Sequence, residues 1–151
     1  VYKRQLKGGD NQLTLQIQDK ITLSNIRFAK AREALEDARA NLEEGRYRTS
    51  VNRSYYAVLN SIRAVLILEG INPRTHEGAI TMLSLRLVKP GLLSKNFIKN
   101  FELLLSRRTE VDYGDLEIVD KEEAEDSLKI AEEMFSAIDL LRKKLIDSLK
   151  E

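Results

Sequence analysis

The chain has 151 residues, 42% of them apolar and 32% charged, which suits one domain able to bury a core of its own. Its 25 Lys and Arg offset 24 Asp and Glu, so net charge points to neither a nucleic-acid nor a membrane partner. A basic cleft would have to come from where the charges lie. The absence of cysteine excludes disulfides, thiolate metal sites and a cysteine nucleophile. No apolar run approaches the roughly 20 residues of a membrane span, and Val1-Tyr2-Lys3-Arg4 lacks the apolar core of a signal peptide. These features lead us to expect a cytoplasmic location, with no membrane partner.

Residues 1–20 are expected to form an N-terminal arm, and residues 21–151 a helical domain. In the arm, Leu13, Leu15 and Ile17 alternate with Thr14, Gln16 and Gln18, the two-residue period of an extended strand. Gly8-Gly9-Asp10-Asn11 reads as a turn before it. A lone strand must pair with something, so the arm is a candidate to cross onto a partner subunit.

From about residue 22 the period becomes helical. Leu23, Ile26, Ala31, Ala34, Leu35, Ala38 and Leu42 form one stripe, and Gly45 marks its stop. A second helix is predicted over 47–69, where Val51, Tyr55, Val58, Leu59, Ile62, Val65 and Leu66 recur three and four apart before Gly70. A third runs to about Val88, with either Asn72 or Thr75 as its cap, and Lys89-Pro90-Gly91 breaks the chain. Ser94 can cap a fourth, whose apolar face is Phe97, Ile98, Phe101, Leu104 and Leu105 and whose stop is Gly114. After a loop over 115–119, Asp120 and Glu123 have capping-box spacing at the start of a long last helix. The fold class predicted is all-α, an antiparallel up-and-down bundle of four or five helices.

Two groups of residues stand out as candidates for chemistry. Asn52, Arg53, Tyr56, Asn60 and Arg63 share one face of the second helix, where a plain solvent face would carry Lys and Glu. Arginine presents a planar fork of donors suited to phosphate, although the same face could instead be solvated and bonded to neighbouring helices. Arg107, Arg108 and Asp112 lie near the end of the fourth helix. There, cations also complement the helix dipole, and Arg108 can pair with Asp112 four residues on. His76, the one histidine, falls at a helix start, where it could cap, pack or act in catalysis. No Gly-rich phosphate loop, nucleophile elbow or metal-ligand spacing is present, so neither a metal nor a cofactor is expected.

Asn52-Arg53-Ser54-Tyr55-Tyr56-Ala57, Thr75-His76-Glu77-Gly78 and Arg108-x-x-x-Asp112-Tyr113 occur in the order seen in HEPN-domain proteins, and the chain resembles small bacterial and archaeal members over about residues 25–140. The resemblance implies an all-helical bundle that forms a homodimer with the arginine motif facing the dimer cleft. It implies an RNA-associated role, as many relatives are metal-independent ribonucleases, often toxins paired with a minimal nucleotidyltransferase antitoxin. Their signature is an arginine followed four to six residues later by a histidine. Arg108 matches the arginine, but Tyr113 stands where the histidine is expected. A phenol of pKa about 10 is a poor base at neutral pH.

Under this resemblance Arg108, Tyr113 and His76 are the catalytic candidates. Arg53, Tyr56, Asn60, Arg63, Arg107 and Asp112 are the candidates for binding a phosphate or nucleotide. The alternative is a non-catalytic dimeric module that binds a nucleotide or a protein and partners a nucleotidyltransferase, with Tyr113 open to modification. A third reading is a purely structural dimer.

Overall fold

The computed structural model describes residues 15–114 and 118–151. Apolar side chains three and four apart turn one face of α1 (Ile17–Glu43) inward, burying Phe28, Ala31, Ala34, Leu35 and Ala38. This helix begins inside the stretch expected to be extended. A helix satisfies its own backbone, whereas a strand needs a partner, and Ile17, 48% exposed, joins the helix. The turn at residues 8–11 and the alternation at Leu13 and Thr14 lie outside the described residues.

A turn through Gly45 reverses the chain into α2 (Tyr47–Leu66), which continues as a 3-10 turn over Ile67–Glu69. Gly45 and Gly70, the two expected stops, both have φ of 77°, a left-handed conformation that costs glycine little. α2 is the central helix, packed on α1, α4 and α5, and Val51, Tyr55, Val58, Ile62 and Val65 on it are fully buried. Serines let α1 and α2 approach closely: Ser24 Oγ donates to the Ala64 carbonyl at 2.6 Å and Ser50 Oγ to the Ala38 carbonyl at 2.8 Å.

Of the two possible caps for α3 (His76–Met82), Thr75 is the one used, its hydroxyl accepting from the Gly78 N–H at 2.9 Å. Gly78 is needed for that closeness, since a Cβ there would lie 3.0 Å from Thr75 Oγ1 and 3.3 Å from Pro73 Cβ. The helix then widens into a π-helical turn, Leu83–Val88, which buries Leu83 and Leu87.

Ser94 Oγ accepts from the Asn96 N–H at 3.2 Å at the start of α4 (Asn96–Tyr113), which sends Phe97, Phe101, Leu104 and Val111 into the core. Asp120 caps α5 (Lys121–Leu149) as its spacing predicts, accepting from the Glu123 N–H at 2.8 Å, a cap that contributes about 1 kcal/mol. Among the described residues, five α-helices packed in this way form the all-α bundle that the periodicity implies. Among the described residues no helix is long and apolar enough to cross a membrane.

Candidate functional site

Two adjacent tyrosines on α2 organise the site. Tyr55 faces the core and is fully buried, while Tyr56, a hundred degrees round the helix, is half-buried at its edge. The Tyr55 ring stacks on Phe101 of α4 at 5.5 Å with an interplanar angle of 9°, and Tyr56 meets it edge-on at 5.2 Å. The Tyr55 hydroxyl forms a hydrogen bond with His76 Nδ1. His76 is the first residue of α3, so the Thr75 cap that fixes the helix start also fixes the imidazole over Tyr55.

Arg108 comes to the same place from α4. Its Nη2 donates to the Tyr56 hydroxyl at 2.8 Å, and its guanidinium carbon lies 5.9, 5.4 and 5.9 Å from the ring centres of Tyr55, Tyr56 and Tyr113. Arg108 Nε sits 2.9 Å from Asp112 Oδ2, an ion pair by proximity rather than an aligned hydrogen bond. Its Nη1 makes no hydrogen bond among the described residues, so one edge of the fork is open. The side chain is 14% exposed, and its charge acts through a partly desolvated environment where electrostatic contacts strengthen.

Asn52 ties the remaining polar residues together. Its Nδ2 donates to Asp112 at 3.2 and 3.3 Å, and its Oδ1 accepts from Arg53 Nη2 and Nε at 2.8 and 3.1 Å. The Arg53 guanidinium also lies over the Tyr56 ring, 5.1 Å from its centre. Arg53 and Arg108 therefore sit against one aromatic ring, within a single chain.

The other sequence candidates are placed as follows. Tyr113 lies beside Arg108 but is 72% exposed. Asn60 is half-buried on the same face of α2, with no hydrogen-bond partner among the described residues. Arg63, further along that face, donates to the Pro73 carbonyl at 3.3 Å. Arg107 does not join the cluster: one position along α4 turns it towards α5, where Nη1 donates to Asp126 at 2.8 Å and to Ser127 at 3.0 Å. Among the described residues no group of three or more His, Asp or Glu could hold a metal ion.

Sequence reasoning puts Tyr55 in the core and does not assign it to the site. The available signal is its hydroxyl, because a tyrosine within an apolar stripe must find a polar partner for its tip. Asn52 shows on the polar stripe, but its role as a bridge depends on the position of Asp112, sixty residues away.

Burial raises the Tyr55 phenol above its ordinary pKa, so the hydroxyl keeps its proton. Burial also lowers the pKa of His76 from the ordinary 6.5, and the nearby Arg108 guanidinium lowers it further. His76 is thus neutral at pH 7. The Tyr55 hydroxyl has no other acceptor among the described residues, so it donates to Nδ1 and leaves the imidazole proton on Nε2. In that tautomer Nε2–H is a donor. For Nε2 to accept a proton, the imidazole must first exchange tautomers, giving its Nε2 proton to water and taking one from water at Nδ1, and the rotatable Tyr55 hydroxyl then accepts from Nδ1–H.

The lowered pKa has a consequence for folding. Unfolded chains protonate His76 near its ordinary value, folded ones only at lower pH. Stability is therefore expected to fall as pH drops from about 6.5 towards the folded pKa, because the unfolded state then binds more protons. His76→Gln should remove that part of the acid sensitivity. Urea midpoints measured from neutral pH to about pH 5 test this, and parallel curves for the two proteins would refute it.

A helical bundle with an arginine, a histidine and tyrosines gathered at one edge defines the class. A family model described as HEPN domain matches residues 25–143, and the chain belongs to that family. It is 33% identical over 121 residues to a UPF0332 protein of Thermotoga maritima, covering 80% of this chain and 89% of that protein. It is 30% identical over 119 residues to the protein named Putative toxin MJ0605 of Methanocaldococcus jannaschii, covering 79% and 86%. The bundle is also similar to the crystal structure of TT1696 from Thermus thermophilus, with a TM-score of 0.64 over 83% of this chain and 97% of that one. At 16% sequence identity that likeness concerns the fold alone.

Proposed function

We propose that this chain is a toxin-like HEPN protein that binds RNA through the Arg108 cluster and works as a homodimer beside a minimal nucleotidyltransferase antitoxin. The observation that carries the reading is the convergence of Arg108 and His76 on the Tyr55–Tyr56 pair. The name of the Methanocaldococcus jannaschii relative supports the toxin-like part. The dimer and the antitoxin rest on the family resemblance, and the cytoplasmic setting on the composition of the chain.

In this reading the open edge of Arg108 holds a non-bridging oxygen of an RNA phosphate and stabilises charge that develops on it. Arg53 and Tyr56 flank the strand. The 2′-hydroxyl oxygen attacks the adjacent phosphorus while its proton passes to Nε2 of His76 in the Nδ1–H tautomer, reached by proton exchange with water, in which Tyr55 accepts from Nδ1. The 5′-oxygen leaves with a proton from water, and a cyclic phosphate remains. The histidine missing after Arg108 is thereby supplied from α3 of the same chain. Incubating the purified protein with RNA in the presence of a chelator tests the proposal. New cyclic-phosphate ends that vanish with Arg108→Ala support it; intact RNA, or cleavage that survives the substitution, refutes the catalytic role.

One observation favours a second reading, a binding module without turnover. Tyr113, 72% exposed beside Arg108, is open to a modifying enzyme. A nucleotide added there would crowd Arg108 and close the cluster. Mass spectrometry after co-expression with a nucleotidyltransferase partner should then find the adduct on Tyr113, and an unmodified residue would count against it.

A further inference from the structure

We propose that Arg27 of α1 and Arg63 of α2 form a second anion site, which takes a phosphate group of a ligand that also reaches the Arg108 cluster. The choice of RNA as that ligand rests on the proposed function; the site itself does not. Arg39, Arg86, Arg107 and Arg108 each have a carboxylate within 3.5 Å. Arg27 and Arg63 have none among the described residues.

Arg63 spends one Nη2 hydrogen on the Pro73 carbonyl, and its Nε is buried without a partner among the described residues. Arg27 makes no hydrogen bond among the described residues, and its Nη1 is likewise buried. The helix turns that carry the two are pinned together. Ser24, one turn before Arg27, donates to the carbonyl of Ala64, the residue after Arg63. Each guanidinium lies in the other's field, and Arg63 adds to the burial that lowers the pKa of Arg27.

Two like charges, half-buried and without a counter-ion, repel more strongly than they would in water. Arg27 Nη1 and Arg63 Nε are enclosed, whereas Arg27 Nη2 and Arg63 Nη1 are neither enclosed nor bonded among the described residues, and water there brings no negative charge. A phosphate group supplies both acceptors and charge, and paired guanidinium forks match its oxygens.

Position suggests what carries that phosphate. Arg53, Tyr56, Asn60 and Arg63 follow one another along a single face of α2, and Arg53 and Arg63 are separated by ten residues, about 15 Å of helix. One phosphate cannot touch both ends of that path, whereas a short RNA strand can. Asn60, midway, offers an amide with no protein partner among the described residues. His76 lies in the field of both Arg108 and Arg63, so the two sites share a neighbour.

The test compares wild type with Arg27→Met/Arg63→Met, which keeps the aliphatic stems. Binding of a labelled RNA dinucleotide and octanucleotide is measured over a range of salt, together with binding of ATP and inorganic phosphate. The octanucleotide should bind the variant about tenfold more weakly, with its salt slope reduced by roughly 0.7 for each phosphate no longer held. The dinucleotide, which reaches only the Arg108 end, should bind as before. Loss of ATP or phosphate binding with no change for the octanucleotide would also support the site and assign it to a free nucleotide. Unchanged binding of all these ligands while wild type binds RNA overturns the second site alone, as does an equal loss on the dinucleotide. Wild type that binds none of them overturns the site and the RNA reading together. Arg27→Met alone keeps the test available if the double variant does not fold, because Arg27 gives up no hydrogen bond among the described residues.

Discussion

Tyr55→Ala is expected to destabilise the bundle by about 3–5 kcal/mol, the range for emptying a large aromatic from a packed core. The ring is fully buried, stacks on Phe101 and meets Tyr56 edge-on, so its removal empties the contact between α2 and α4. For a domain of this size the melting temperature should fall by on the order of 10 °C. Tyr55→Phe separates the ring from the hydroxyl. It keeps the stacking, should cost about 1 kcal/mol, and leaves His76 Nδ1 without its partner. Urea unfolding of the two variants checks the division. A loss below about 1 kcal/mol for Tyr55→Ala would mean that this tyrosine does not hold α2, α3 and α4 together.

On the proposed function, Arg108→Ala should lower RNA cleavage by roughly 10²–10³-fold, the usual scale for removing one preorganised donor from a site of developing charge. Stability should fall as well, because Arg108 is largely buried, pairs with Asp112 and donates to Tyr56, so urea midpoints are measured beside the cleavage rates. Arg108→Lys should not restore activity, since an ammonium cannot face Tyr56, Asp112 and a phosphate at once in one plane. A second readout comes from the single histidine. Arg108 holds the His76 pKa down, so its removal should move that pKa back towards the ordinary value. An NMR titration of His76 shows this directly. No change in either cleavage or the His76 titration would separate Arg108 from the site altogether.

Helical periodicity makes the bundle legible, because stripes such as Val58, Ile62 and Val65 repeat with the geometry of the structure they build. Gly45, Gly70 and Asp120 act locally, and each ends or starts its helix where its chemistry indicates. The start of α1 is not legible, since Leu15 and Ile17 carry a short alternation that the backbone overrides. The π-helical turn at Leu83–Val88 leaves no mark that periodicity could reveal. In the site, the polar face of α2 is visible as a pattern, but its meeting with Arg108 and His76 depends on packing between residues far apart in sequence. Arg107 illustrates the limit well. It adjoins Arg108 in the chain, yet a single step round the helix commits it to Asp126. Arg27 carries no signal at all, because its significance is the neighbour it lacks.

Asp112 gives the resting cluster a property of its own. Any anion arriving at Arg108 finds a carboxylate already seated beside the guanidinium and steadied by Asn52. An anion at the open Nη1 edge would share the guanidinium with that carboxylate, so a single phosphate gains less there than beside an unpaired arginine. On the proposed reading, a ligand that engages several contacts together is favoured, and chain length counts before base identity.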